Sequence, residues 1–124
     1  MLGLSNPQQA YRKVELDALV LGSSGIGLVD LCFERALSAL GRALIPGGAS
    51  FTNRSRALSD ALLALTALRQ GVDETAPLGA TLIEFYSTAI DAVSSAILRF
   101  DPASLTALKT DLADIHAALK ASGG

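Results

Sequence analysis

Apolar residues recur three or four positions apart along most of this chain, and no stretch alternates at period two for long enough to build a sheet. The clearest case is Gly25–Pro46, where Val29, Phe33, Ala36, Leu40 and Ala43 step by 4-3-4-3 and form a continuous seam on one helix face. Leu28, Leu31, Cys32, Leu37 and Leu44 widen that seam, and Asp30, Glu34, Ser38 and Arg42, spaced four apart, form a polar ridge. A surface helix of a globular protein keeps an apolar stripe of about 100° toward its core. This stretch carries more, so it is central in a bundle or offers a second face to a partner.

The other segments have the same period. Asn6-Pro7 reads as a helix start, and Tyr11, Val14, Ala18 and Leu21 step 3-4-3 before Gly22, predicting a short helix over 9–20. Arg12, Lys13, Glu15 and Asp17 keep its other side wet. Ser23 or Ser24 caps a long helix over 25–45, stopped by Pro46-Gly47-Gly48. A helix over 53–71 has Leu58, Ala61, Leu65, Leu68 and Val72 on its seam, with Arg56 and Asp60 as an i,i+4 pair. Leu82, Tyr86, Ala89, Val93, Ala96 and Phe100 mark a helix over 77–100, opposite Glu84, Thr88, Asp91 and Ser95. Asp101 caps a last helix over 102–120, in which Leu105, Leu108, Leu112, Ile115 and Leu119 step 3-4-3-4.

Four long helices on short loops predict an all-α fold, an antiparallel up-down four-helix bundle with a short extra N-terminal helix. The domain is single: residues 1–22 hold the N-terminal segment and its lid helix, 23–120 the bundle, and 121–124 a flexible tail. Leu65, Val93, Leu112 and Ile115 are expected buried.

Composition narrows the function classes. Half of the 124 residues are apolar, yet aromatics are 5% and Trp is absent, so the core is Leu, Ala, Val and Ile packing. Ten basic and twelve acidic residues, with no basic patch, exclude nucleic acid as the expected partner. The single cysteine rules out an internal disulfide framework and fits a reducing compartment. Met1–Pro7 has no charged n-region or apolar h-region, and no run of 18 apolar residues exists, so neither a secretory signal nor membrane insertion is expected. A cytoplasmic location follows. A mean hydropathy of +0.41 implies apolar surface that something else covers.

Candidate chemistry is sparse. Leu19–Gly27, LVLGSSGIG, is similar to the strand–glycine-turn–helix opening of short-chain dehydrogenases. That family places three residues between its first two glycines; Gly22 and Gly25 have two between them, and no Tyr-x-x-x-Lys follows. A dinucleotide-binding fragment is thus only a remote alternative to a glycine stop followed by a serine cap. His116 has no cysteine or second histidine to share a metal and is expected at the surface or an edge. Cys32 reads as a core thiol rather than a nucleophile. Glu84 and Asp91 form a solvated face, and Ser87, Thr88, Ser94 and Ser95 lack a base. No catalytic residue, metal site or cofactor is expected, and the chain does not read as an enzyme. Tyr86 belongs to a core seam, whereas Tyr11 is core or an interface anchor.

Asn6-Pro7-Gln8-Gln9-Ala10-Tyr11 and Leu28-Val29-Asp30-Leu31-Cys32-Phe33-Glu34-Arg35-Ala36-Leu37 together resemble the flagellar export chaperone family that binds flagellin. Its members have an N-terminal Ala-Tyr, then a Leu-x-x-x-Leu-Tyr-Asp-Gly-Ala-like helix. Phe85-Tyr86 is similar to the family's Leu-Tyr pair, and Ala96-Ile97-Leu98-Arg99-Phe100-Asp101 stands where the family has Ala-Asn-x-x-x-Asp. Phe33 replaces a tyrosine, Ile97 an asparagine, and Leu119 falls near the usual tryptophan. The resemblance implies a helical bundle that holds the unfolded C-terminal segment of flagellin, its C-terminal helical segment once assembled, in the cytoplasm, prevents premature polymerisation and delivers it to the flagellar export apparatus. Tyr11, Val14, Leu21, Leu28 and Phe33 are then the partner-side candidates. A self-associating structural bundle, such as a homodimer, would satisfy the same apolar excess.

Overall fold

The computed structural model describes residues 25–46 and 50–123. All regular structure among them is helical: α1 (Gly25–Ala43), α2 (Phe51–Gln70), α3 (Gly79–Leu98) and α4 (Pro102–Gly123). The helix expected over 9–20, with Tyr11, Val14 and Leu21, lies outside the described residues. At 1.5 Å per residue each of the four helices is about 28–33 Å long.

Local chemistry sets the ends. The Ser50 hydroxyl accepts the Asn53 N–H at 3.1 Å, so α2 starts at Phe51 rather than at 53. The Gly71 N–H closes α2 on the Ala67 carbonyl at 3.1 Å, and the Val72 N–H takes that of Arg69 at 3.2 Å. Leu78 is left-handed (φ 67°), which delays α3 from the expected 77 to Gly79, and Arg99 turns extended to end it at Leu98. Gly79 comes so near the preceding turn that an added Cβ would lie 2.2 Å from the Asp73 carbonyl oxygen. Asp101 caps α4 as expected, accepting the Ser104 N–H at 3.3 Å and its hydroxyl at 2.8 Å. α4 then runs on through Gly123, so the segment expected to fray from 121 is helical to that point.

Cross-helix contacts show that neighbours run antiparallel. Asp30, near the start of α1, meets His116, near the end of α4, while Gly41 at the other end of α1 lies over Lys109. Likewise Arg69, at the end of α2, reaches Ser87 near the middle of α3 at 3.4 Å, and Arg54, early in α2, covers the Phe100 ring beyond α3 at 4.0 Å. α1 packs on α2, α2 on α3, and α4 closes the ring between α3 and α1.

The seams of α1, α2 and α3 are buried as read from their spacing, with Leu65 and Val93 at the centre; only Phe100, past the end of α3, is half-buried. In α4 Leu105, Leu108, Leu112 and Leu119 are buried, but two expectations fail. Ile115, expected in the core, is half-buried, and His116, expected at the surface or an edge, is 8% exposed. On a straight helix position 116 lies about 20° from Leu105 in projection and position 115 about 80° away, so a strict 3-4 alternation selects the wrong neighbour. The Arg56–Asp60 pair is also replaced: Asp60 binds Arg42 of α1 at 3.1 Å.

Candidate functional site

The polar ridge of α1 does not face one way. Each four-residue step advances about 40° beyond a full turn, so from Asp30 to Arg42 the ridge winds through about 120°. Asp30 consequently points to α4 and Arg42 to α2. Between them Leu28, Leu31, Arg35, Ser38 and Arg42 step 3-4-3-4 along the α2 side of α1, with Cys32 beside them. Opposite stand Asp60, Leu63, Ala64 and Ala67 of α2. The two walls enclose an open groove of about 670 Å³.

Side-chain size makes the groove. Ala64 and Ala67 leave a low floor, and Leu63 rises beside it, 72% exposed. Leu63 also borders a second hollow along α2, with Leu62, Thr66 and Gln70, so it stands as a ridge between the two. Leu28 and Leu31, at 39% and 45% exposure, furnish the other apolar wall. The Arg42–Asp60 ion pair spans one end with both side chains about half exposed; such pairs stabilise by about 0–1 kcal/mol. Cys32 is half-buried in the α1 wall; burial raises its thiol pKa, and Arg35 pulls the other way with less effect. That suits a thiol kept protonated.

The cluster with most polar chemistry lies on the other side of α1. His116 stacks on Phe33 with ring centroids 5.0 Å apart and planes 5° apart, and Phe33 meets Tyr86 at 6.4 Å. His116 Nε2 donates to Asp30 Oδ1. That hydrogen bond holds the Asp30 carboxyl below the usual aspartate range, with Lys120 and Glu34 adding to the effect against a partial burial cost. A carboxylate–imidazole pair of this kind orients a catalytic histidine when a nucleophile adjoins it. Here the ring face is covered by Phe33, and the pair ties α1 to α4. Among the described residues no group of three or more His, Cys, Asp or Glu could hold a metal ion. None of their helices is long and apolar enough to cross a membrane.

Comparison with protein-family models, curated proteins and solved structures finds no match for this chain. The similarity to flagellar export chaperones therefore consists of the short motifs named above. Of those motif residues, Phe33 and Tyr86 pack together in the core with no exposed surface.

Of the partner-side candidates, Leu28 lines the groove and Phe33 does not. Phe33 lies on the seam of α1 and is wholly enclosed, which corrects its assignment to a partner face. Tyr11, Val14 and Leu21 lie outside the described residues. Sequence reasoning missed Leu63 and Arg35. The signal for Leu63 was available: it is a large apolar residue about 200° round the helix from Ala61, off the seam, where a solvated face calls for a polar one.

Proposed function

We propose that this protein is a helix-binding export chaperone that takes the C-terminal helical segment of flagellin, in the cytoplasm, and keeps it from polymerising before secretion. One observation carries the reading: Leu28, Leu31 and Leu63 stand exposed around an open groove whose floor is alanine. An amphipathic helix laid into such a groove covers those side chains and inserts its own between them. The motif similarity in α1 and α3 supports the choice of flagellin. Because Phe33 and Tyr86 serve the core, partner contact on this reading falls to the outer α1–α2 face.

The test is calorimetric titration of the full chain with flagellin and with flagellin lacking its C-terminal helix. Binding of the first and not the second at tens of micromolar is expected. No complex with either would overturn the proposal. Light scattering without flagellin separates it from the self-associating bundle: a stable dimer that flagellin fails to dissociate or decorate favours the second reading.

A further inference from the structure

The groove has a charge at its centre that forms no ion pair among the described residues. Four charged side chains line it: Glu34, Arg35, Arg42 and Asp60. Arg42 and Asp60 neutralise each other across its end. Glu34, one turn after Asp30, lies at the rim toward α4 and couples to Asp30, which also feels Lys120. Arg35 is different. It sits midway along the α1 stripe, seven positions from both Leu28 and Arg42, is exposed, and makes no hydrogen bond or ion pair with any described residue.

We infer that the groove selects an amphipathic helix of about 14 residues, about 21 Å long, with a carboxylate near its midpoint set against Arg35. This rests on the helix-binding reading above and adds the chemistry that fixes the register of the bound helix. The length follows from the span between Leu28 and Arg42. The carboxylate follows from charge complementarity: a guanidinium offers a planar fork of donors that a carboxylate matches in two parallel hydrogen bonds. An apolar stripe alone would let a helix slide by a turn along Leu28, Leu31 and Leu63. A single ionic contact at the middle removes that freedom, because a one-turn slip of about 5.4 Å breaks it.

Cys32, the only cysteine of the chain, lines the same wall and reports occupancy directly. The probes are three synthetic 14-residue helical peptides with one apolar stripe and Glu, Gln or Lys at the central polar position. Each is titrated into the full-length protein while the rate of Cys32 alkylation by a maleimide is followed. The wild-type chain is expected to bind the Glu peptide about fivefold more tightly than the Lys peptide, with Gln between, and Arg35→Glu to invert that order. Raising salt should compress the difference. Arg56→Glu, an exposed charge on α2 outside the groove, should leave the order unchanged.

Equal affinity for the three peptides with Cys32 protected by each would overturn the carboxylate register and leave the helix-binding groove standing. Failure of every peptide to protect Cys32 would overturn both. Protection without peptide that disappears on dilution would assign the groove to a second copy, and protection at every dilution to the chain itself. Either result overturns the inference.

Discussion

His116 and Asp30, separated by 86 positions, are joined by a hydrogen bond that fastens the last helix to the first. The imidazole lies flat on Phe33, so one face of the ring packs as an apolar group while its nitrogen meets a carboxylate at the edge of the core. A polar group taken that far out of water is costly without a partner.

The pair makes stability depend on acid. Asp30 titrates below its ordinary value because the folded chain favours its charged form. Its contribution is therefore complete above the unfolded aspartate pKa of about 3.9 and is lost as pH falls through the lower folded value. The difference in urea midpoint between wild type and Asp30→Asn should close as pH falls from about 5 toward about 2. A difference that stays constant on acidification would mean that the carboxylate charge contributes nothing to the closure of α1 on α4.

Leu112→Ala and Ile115→Ala test where α4 turns its face. Leu112 has no exposed surface, so its truncation should cost about 2–5 kcal/mol through lost transfer energy and a cavity. Ile115 is half-buried, and its truncation should fall below that range. Equal losses in chemical denaturation would restore Ile115 to the seam.

Gly79→Ala should destabilise although alanine is the better helix former. Its Cβ would meet the Asp73 carbonyl oxygen at 2.2 Å and the Glu74 backbone at 3.1 Å, contacts that only a shift of the α2–α3 turn relieves. Overpacking of this kind costs about 1–3 kcal/mol, to be read from the denaturation midpoint. A stabilised variant would show that the turn yields freely.

Leu63→Ser separates binding from folding. The side chain is 72% exposed, so the melting temperature should change little. On the proposed function its loss should weaken flagellin binding by about 1–3 kcal/mol, within the range of a binding hot spot, as measured by titration. Unchanged binding with an intact fold would remove Leu63 from the interface.

The architecture was legible because burial imposes a period that side-chain type records. Val29, Phe33, Ala36, Leu40 and Ala43 could be placed on one face from spacing alone, as could the glycine stop at Gly71 and the aspartate cap at Asp101. The candidate site was legible only in part. Leu28 was found, since it widened a face already too apolar for one contact. Leu63 was passed over because a lone apolar residue off the seam is ordinary on protein surfaces.

By itself, then, the sequence determined four long helices, the seams of the first three and their ends to within a few residues, all of which depend on residues within a few positions of one another. Tertiary structure decided which charges meet. Asp60 had an equally spaced partner in Arg56, and only the packing of α1 beside α2 hands it to Arg42. His116 had no partner within reach along its own helix toward the core, and only the closure of α4 on α1 brings Asp30 to it and makes a buried site for a polar ring. The same holds for the groove, a space between two helices whose walls lie some thirty positions apart in the chain. Helical period is a local property of the chain, whereas pairing across helices depends on how their faces turn toward one another, which no local spacing records.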